Sequence, residues 1–135
     1  SAIHYKDTIV VIGGYRESKL VTCEIYDPVT SKWDSFPSLN TARFRFGAGV
    51  IEDKIYVAGG YTVNSVEVFD GNLWSPVSQM PGVHNYSSCV LSLSGRIVMV
   101  GGTREEVDVY DPATNSWSFF PSMTSHRKYP AAVSF

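Results

Sequence analysis

Three times in 135 residues the chain runs through four apolar residues into a pair of glycines. The copies are Ile9-Val10-Val11-Ile12-Gly13-Gly14, Ile55-Tyr56-Val57-Ala58-Gly59-Gly60 and Ile97-Val98-Met99-Val100-Gly101-Gly102, whose first glycines stand 46 and 42 residues apart. An apolar, largely β-branched run of this length reads as a strand buried on both faces, and the glycines mark where the backbone needs conformations that other residues resist. Recurrence at this period means one small supersecondary unit made several times, which restricts the fold more than any local propensity.

The remainder of each unit repeats as well. An aromatic residue precedes aspartate at Tyr26-Asp27, Phe69-Asp70 and Tyr110-Asp111, and a lone tryptophan follows at Trp33, Trp74 and Trp117. Six positions after each tryptophan stands Leu39, Met80 or Met123. A run of mostly small residues then leads into the next apolar stretch: Gly47-Ala48-Gly49-Val50, Ser87-Ser88-Cys89-Val90 and Pro130-Ala131-Ala132-Val133. In the second unit this predicts strands a (48–52), b (55–58), c (65–69) and d (from 74), separated by turns rich in Asp, Asn, Pro and Gly. Strand c alternates with period two, since Val66 and Val68 match Cys23 and Ile25 in the first unit and Val107 and Val109 in the third. Cys89 aligns with Gly49 and Ala132, so both cysteines read as small buried residues, which suits a reducing, cytoplasmic setting.

Four strands cannot bury two faces alone, so the copies are expected to stack face to face around an axis as propeller blades. The pattern of Gly-Gly, aromatic-Asp, Trp and a Pro/Met stretch with arginine resembles the Kelch repeat over essentially the whole chain, most closely in Tyr110-Asp111-Pro112-Ala113-Thr114-Asn115-Ser116-Trp117. The expected fold is all-β, with three four-stranded antiparallel Kelch-type blades at 1–38, 45–82 and 86–122, and 129–135 as the first strand of a further blade. Closed propellers hold about four to eight blades, and the resemblance implies roughly six. Two arrangements are therefore expected: part of a larger propeller, which is the preferred reading, or a half-ring that closes as a homodimer. The repeated positions Gly13, Gly14, Gly59, Gly60, Gly101, Gly102, Tyr26, Phe69, Tyr110, Trp33, Trp74 and Trp117 are assigned to structure.

No apolar run approaches the ~18 residues of a membrane span, and no signal-peptide pattern opens the chain. The two cysteines make neither a disulfide framework nor a metal spacing. His4 lies in a strand, and His84 and His126 lie in successive d–a loops without an evident third ligand, so neither metal nor cofactor is expected. With a net charge of −2 and aromatics that follow the repeat rather than a basic groove, nucleic acid is not an expected partner.

Charge is unevenly placed. Antiparallel order brings the b–c and d–a loops to one end, where Arg16, Lys19, Arg43, Arg45, Arg104, Arg127 and Lys128 face only Glu17, Glu105 and Glu106. Such an end attracts an anionic partner, and arginine pairs bidentately with carboxylates. The Kelch resemblance implies the same place. Its peptide site commonly uses a tyrosine after the glycine pair, matched by Tyr15 and Tyr61 but not Thr103. It also uses an arginine five residues before the strand-a valine, matched by Arg45, with Asn85 and Lys128 in its place elsewhere. The expected peptide-binding set is Tyr15, Arg16, Arg43, Arg45, Tyr61, His84, Asn85, Arg104, Arg127 and Lys128, with a short acidic peptide as partner and no catalytic residues. The resemblance further implies a substrate adaptor for a cullin-RING ubiquitin ligase, acting through a BTB domain that these residues do not contain. The alternatives are a Kelch-like oxidase or sugar-converting enzyme, and an actin-binding or structural propeller segment.

Overall fold

The computed structural model describes residues 1–84 and 88–132. Twelve strands form three antiparallel four-stranded sheets, each running in chain order from its first strand to its last. Blade 1 comprises β1 (Ala2–Tyr5), β2 (Thr8–Arg16), β3 (Ser18–Asp27) and β4 (Lys32–Phe36). Blade 2 comprises β5 (Gly47–Ile51), β6 (Lys54–Ala58), β7 (Val66–Phe69) and β8 (Trp74–Val77). Blade 3 comprises β9 (Cys89–Leu93), β10 (Arg96–Val100), β11 (Val107–Asp111) and β12 (Ser116–Phe120). The first strands of the blades are neighbours, β5 packing between β1 and β9. The three blades are therefore wedges of a β-propeller, as the repeat predicts.

Each recurring sequence feature has one job. The aspartate after the aromatic residue closes the c–d turn with its own carboxylate: Asp27 Oδ1 accepts from the Val29 amide at 2.8 Å, Asp70 Oδ1 from Asn72 at 2.9 Å, and Asp111 Oδ1 from Ala113 at 2.9 Å. This is the Asx turn that makes aspartate common at such sites. Crossing that turn, the aromatic residue packs on the tryptophan of the next strand, with ring centroids 5.2 Å apart for Tyr26–Trp33, 5.4 Å for Phe69–Trp74 and 5.2 Å for Tyr110–Trp117.

The tryptophans then join blade to blade. Trp74 Nε1 donates to the Pro37 carbonyl of blade 1 at 2.8 Å, and Trp117 Nε1 to the Ser78 carbonyl of blade 2 at 2.9 Å. Between blades 1 and 2 lies the largest core, where Val10, Ile12, Cys23 and Leu39 meet Ile55, Val57, Phe69 and Trp74. Trp33 occupies the same place in blade 1 but is 53% exposed, whereas Trp74 is 5% exposed and Trp117 half-buried.

One register differs from the sequence reading. Gly47 pairs with Ala58 and Cys89 with Val100, so Cys89 takes the place of Gly47 rather than Gly49. A slip of two residues preserves which face a side chain takes, which is why composition could not detect it. Cys89 is half-buried, its thiol reaching the Pro130 carbonyl, while Cys23 is buried. Tyr129–Ala132 form no strand, and the rest of the expected strand at 133–135 lies outside the described residues.

Burial of the indoles sets a graded expectation for stability. Trp74→Ala should cost about 3–5 kcal/mol, Trp117→Ala less, and Trp33→Ala under about 1 kcal/mol. Urea unfolding of the three variants measures this, and equal losses would contradict the assigned joints.

Candidate functional site

The d–a loops are tied down by a hook that recurs in every blade. The amides of Leu39, Met80 and Met123 donate to the carbonyls of Val21, Asn64 and Glu105 at 2.9, 3.0 and 2.9 Å. Four residues beyond each hook stand Arg43, His84 and Arg127. Arg43 spans two blades. Its backbone is held by blade 1, through Gly14 N to Arg43 O at 3.0 Å and Arg43 N to Leu20 O at 3.1 Å, while its side chain enters blade 2. There Nη1 donates to the Gly59 and Ser65 carbonyls at 2.7 and 2.9 Å, and Nη2 donates to Glu67 Oε1 at 2.8 Å. The glycine pair makes this approach possible, because a Cβ on Gly13, at φ +50°, would lie 2.8 Å from the Arg43 carbonyl oxygen.

Glu67, in the middle of β7, completes the joint. Its carboxylate also accepts from the Asn40 and Thr41 amides at 2.8 and 3.0 Å and from Asn40 Nδ2 at 3.0 Å. Burial pushes this carboxyl up, but the Arg43 and Asn40 hydrogen bonds, the Arg43 charge and the Thr41 amide outweigh it and hold it below the ordinary carboxylate range. The next joint is built alike: His84 Nε2 lies 2.8 Å from Asp108 Oδ2, and Nδ1 lies 2.8 Å from the Gly101 carbonyl. Both ring nitrogens thus face oxygen atoms of blade 3.

Arg43 and His84 are 0% exposed. This corrects the expectation that they present themselves at the basic rim, because each is consumed by a buried acid of the following blade. His126, expected beside His84, is instead exposed and one position away from it relative to the hook. Among the described residues, no group of three or more His, Cys, Asp or Glu side chains gathers as a metal-binding set.

The rim proper is an aromatic cluster around Arg45. The Arg45 guanidinium carbon lies 5.4 Å from the Phe44 ring centroid and 5.8 Å from those of Tyr61 and Tyr129. Phe44 is packed by Tyr15 at 5.1 Å and Tyr61 at 5.5 Å, and Lys19 Nζ donates to the Tyr61 carbonyl at 3.2 Å. Tyr15, Tyr61 and Tyr129 remain 63, 38 and 57% exposed, and Arg45 is exposed too. Arg45 and Tyr129 both stand six residues beyond their hooks with left-handed backbone, at φ +56° and +54°. Tyr129, not Lys128, is therefore the structural counterpart of Arg45, and Lys128 is an exposed neighbour in the counterpart position of Phe44.

Of this cluster, the sequence reading names Tyr15, Arg45 and Tyr61 but not Phe44 or Tyr129. The signal for Phe44 was available, since an aromatic residue between two arginines in a loop needs something to pack on. Arg16 sits exposed at the tip of the β2–β3 hairpin. Arg104 stays apart from the cluster, paired with Glu106 at 3.3 Å and 3.9 Å from Asp108. Arg127 is exposed, and Asn85 lies outside the described residues.

Stacked four-stranded antiparallel wedges define the class as a β-propeller. The Kelch motif is matched three times, over residues 1–40, 42–81 and 84–124. The chain belongs to the Kelch-repeat family. It is 30% identical to Kelch-like protein 23 of Pongo abelii over 93% of this chain and 24% of that protein, and 31% identical to Kelch-like protein 41 of Mus musculus over 78% and 20%. It spans about a fifth to a quarter of the length of these curated relatives. The solved structure of YjhT superposes with a TM-score of 0.76 at 15% identity, covering 92% of this chain and 52% of that one.

Removing one member of a buried ion pair leaves the other uncompensated. Arg43→Ala should therefore cost about 3–5 kcal/mol in denaturant unfolding. Because the Glu67 carboxyl sits lower in the folded chain than the ~4.3 of an unfolded glutamate, its stabilisation is present above that pH and lost as pH falls through its folded value. Acid titration of stability should show a shallower loss in Glu67→Gln than in the parent chain. An unchanged acid limb would contradict this role for the pair.

Proposed function

We propose that this chain is a protein-interaction module whose rim, formed by Tyr15, Phe44, Arg45, Tyr61 and Tyr129 with Lys128 and Arg16 at its edge, takes a short acidic peptide from a partner protein. The supporting observation is the exposed Arg45 guanidinium lying against three aromatic rings. Stacking uses the face of a guanidinium, whereas bidentate pairing with a carboxylate uses its edge, so the two are compatible. Aromatic rings beside an arginine supply the combination that dominates binding energy in recognition sites. The basic excess of this end of the chain favours an anionic ligand by focusing the field.

The Kelch-like relatives support an interaction role over a catalytic one. Within a longer protein, such a site fits a substrate adaptor for a cullin-RING ubiquitin ligase, and the unpaired thiols of Cys23 and Cys89 fit a cytoplasmic setting.

Arg45→Ala combined with Lys128→Ala should weaken capture of acidic peptides about tenfold or more while the unfolding midpoint barely moves. A fluorescence-polarisation series with acidic and charge-neutralised peptides checks this. Equal affinity for both peptides, or an unaffected double variant, would overturn the reading.

A further inference from the structure

We infer that Lys19 is a positioning residue of the rim, holding the backbone of Tyr61 so that its ring stays beside Phe44 and Arg45, a role that rests on the rim being a peptide site. Blade 1 differs from the others in its second and third strands. β2 and β3 run for 9 and 10 residues, whereas β6 and β7 have 5 and 4, and β10 and β11 have 5 each. The extra length carries pairing past the glycines, with Gly14 opposite Leu20, Tyr15 opposite Lys19 and Arg16 opposite Ser18, and Glu17 turns the hairpin at φ +61°. Residues directly opposite on antiparallel strands project to the same side. Tyr15 and Lys19 accordingly reach one target together: the Tyr15 ring and Lys19 Nζ lie 5.1 and 6.0 Å from the ring centroid of Phe44.

From there Lys19 crosses the joint into blade 2. Its Nζ donates to the Tyr61 carbonyl at 3.2 Å and to Thr62 Oγ1 at 3.3 Å, and Thr62 Oγ1 donates in turn to the Tyr61 carbonyl at 2.6 Å. That backbone needs holding. Tyr61 follows two glycines at φ +70° and +130°, lies outside any strand, and precedes Thr62 at φ +62°, a left-handed conformation that a β-branched residue resists. Such backbone persists where its surroundings over-determine it. On one side the Tyr61 amide donates to the Phe44 carbonyl at 3.0 Å. On the other, the Lys19 ammonium supplies hydrogen bonds of the stronger, charge-assisted kind. Lys19 is half-buried where Arg16 and Lys128 are exposed, as suits a cation engaged within the fold.

Both ends of this tether lie at the joint between blades 1 and 2. Phe44 is thereby packed from the hairpin by Tyr15 and Lys19 and from the turn by Tyr61. Tyr61 is also one of the rings against which Arg45 lies, so the tether sets how the guanidinium is presented to a ligand.

Lys19→Met removes the donor and keeps a long apolar stem. In the unliganded chain, hydrogen exchange at the Tyr61 amide should quicken at least about tenfold with the amides of β6 unchanged, and Lys19→Arg should restore most of the protection. In fluorescence polarisation with a labelled peptide of alternating Glu and Gly, Lys19→Met should weaken capture about fivefold while the unfolding midpoint stays in place. The factor should be the same at low and high salt, because a positional effect, unlike a direct charge contact, is not screened. In a Tyr61→Ala background the same substitution should have no further effect on affinity. Unchanged exchange at Tyr61 would overturn the tether whatever the peptide does. So would a loss that salt abolishes, or one that adds in full to that of Tyr61→Ala, since Lys19 would then meet the ligand itself. A parent chain that takes no acidic peptide, although its exchange responds as expected, would overturn the reading of the rim and with it the role of Lys19 there.

Discussion

A carboxylate placed in the middle of an inner strand, aimed at the loop that arrives from the preceding blade, governs how these sheets stack. Glu67 would be costly there without partners, since an unpaired buried charge is among the least favourable features a fold can hold. It is met by an arginine, two backbone amides and an asparagine, all from one loop. That loop cannot supply them unless it lies in one position, and the position is enforced on its other side by the hook at Leu39 and by the contact of Arg43 O with Gly14 N. The pair therefore contributes less as raw stabilisation than as a fix on register. Apolar packing between blades is tolerant of small slides, whereas a buried charge network is satisfied in one arrangement only.

The same few residues that close the joint also build the proposed recognition surface. Arg43 points inward and is fully buried, Phe44 and Arg45 follow immediately, and the left-handed backbone at Arg45 carries the chain out toward Tyr61 and Tyr129. Because Phe44 O accepts from Tyr61 N at 3.0 Å, the aromatic cluster rests on backbone held from both sides. Held this way, the Arg45 side chain would need little further ordering if it took a ligand as proposed. Joint and rim are thus two outcomes of a single loop geometry.

The repeat, the four strands of each blade and the packing role of the tryptophans were legible in the sequence, because period-two alternation and recurring turn aspartates are local signals. Strand limits in blade 2 fell within one residue of those observed. Less legible was which arginines are inside. Arg43 and Arg45 are the same residue type two positions apart, and only the hook at Leu39 separates their fates. A hint did exist in Glu24, Glu67 and Asp108, which recur at one place within otherwise apolar strands and so call for partners. The counterpart of Arg45 in the last loop escaped because small-residue runs can be aligned in more than one way. In structure, backbone hydrogen bonds rather than residue type settle that alignment in favour of Tyr129.

Hydrogen exchange at the amides of Asn40 and Thr41 examines the central claim most directly, namely that the loop–carboxylate network locks neighbouring blades. Both amides belong to a surface loop, where exchange is ordinarily fast, yet both donate to Glu67. The account predicts that they exchange only with the global unfolding of the chain, as slowly as the amides of β6. Exchange at the rate of an open loop, with β6 still protected, would contradict it.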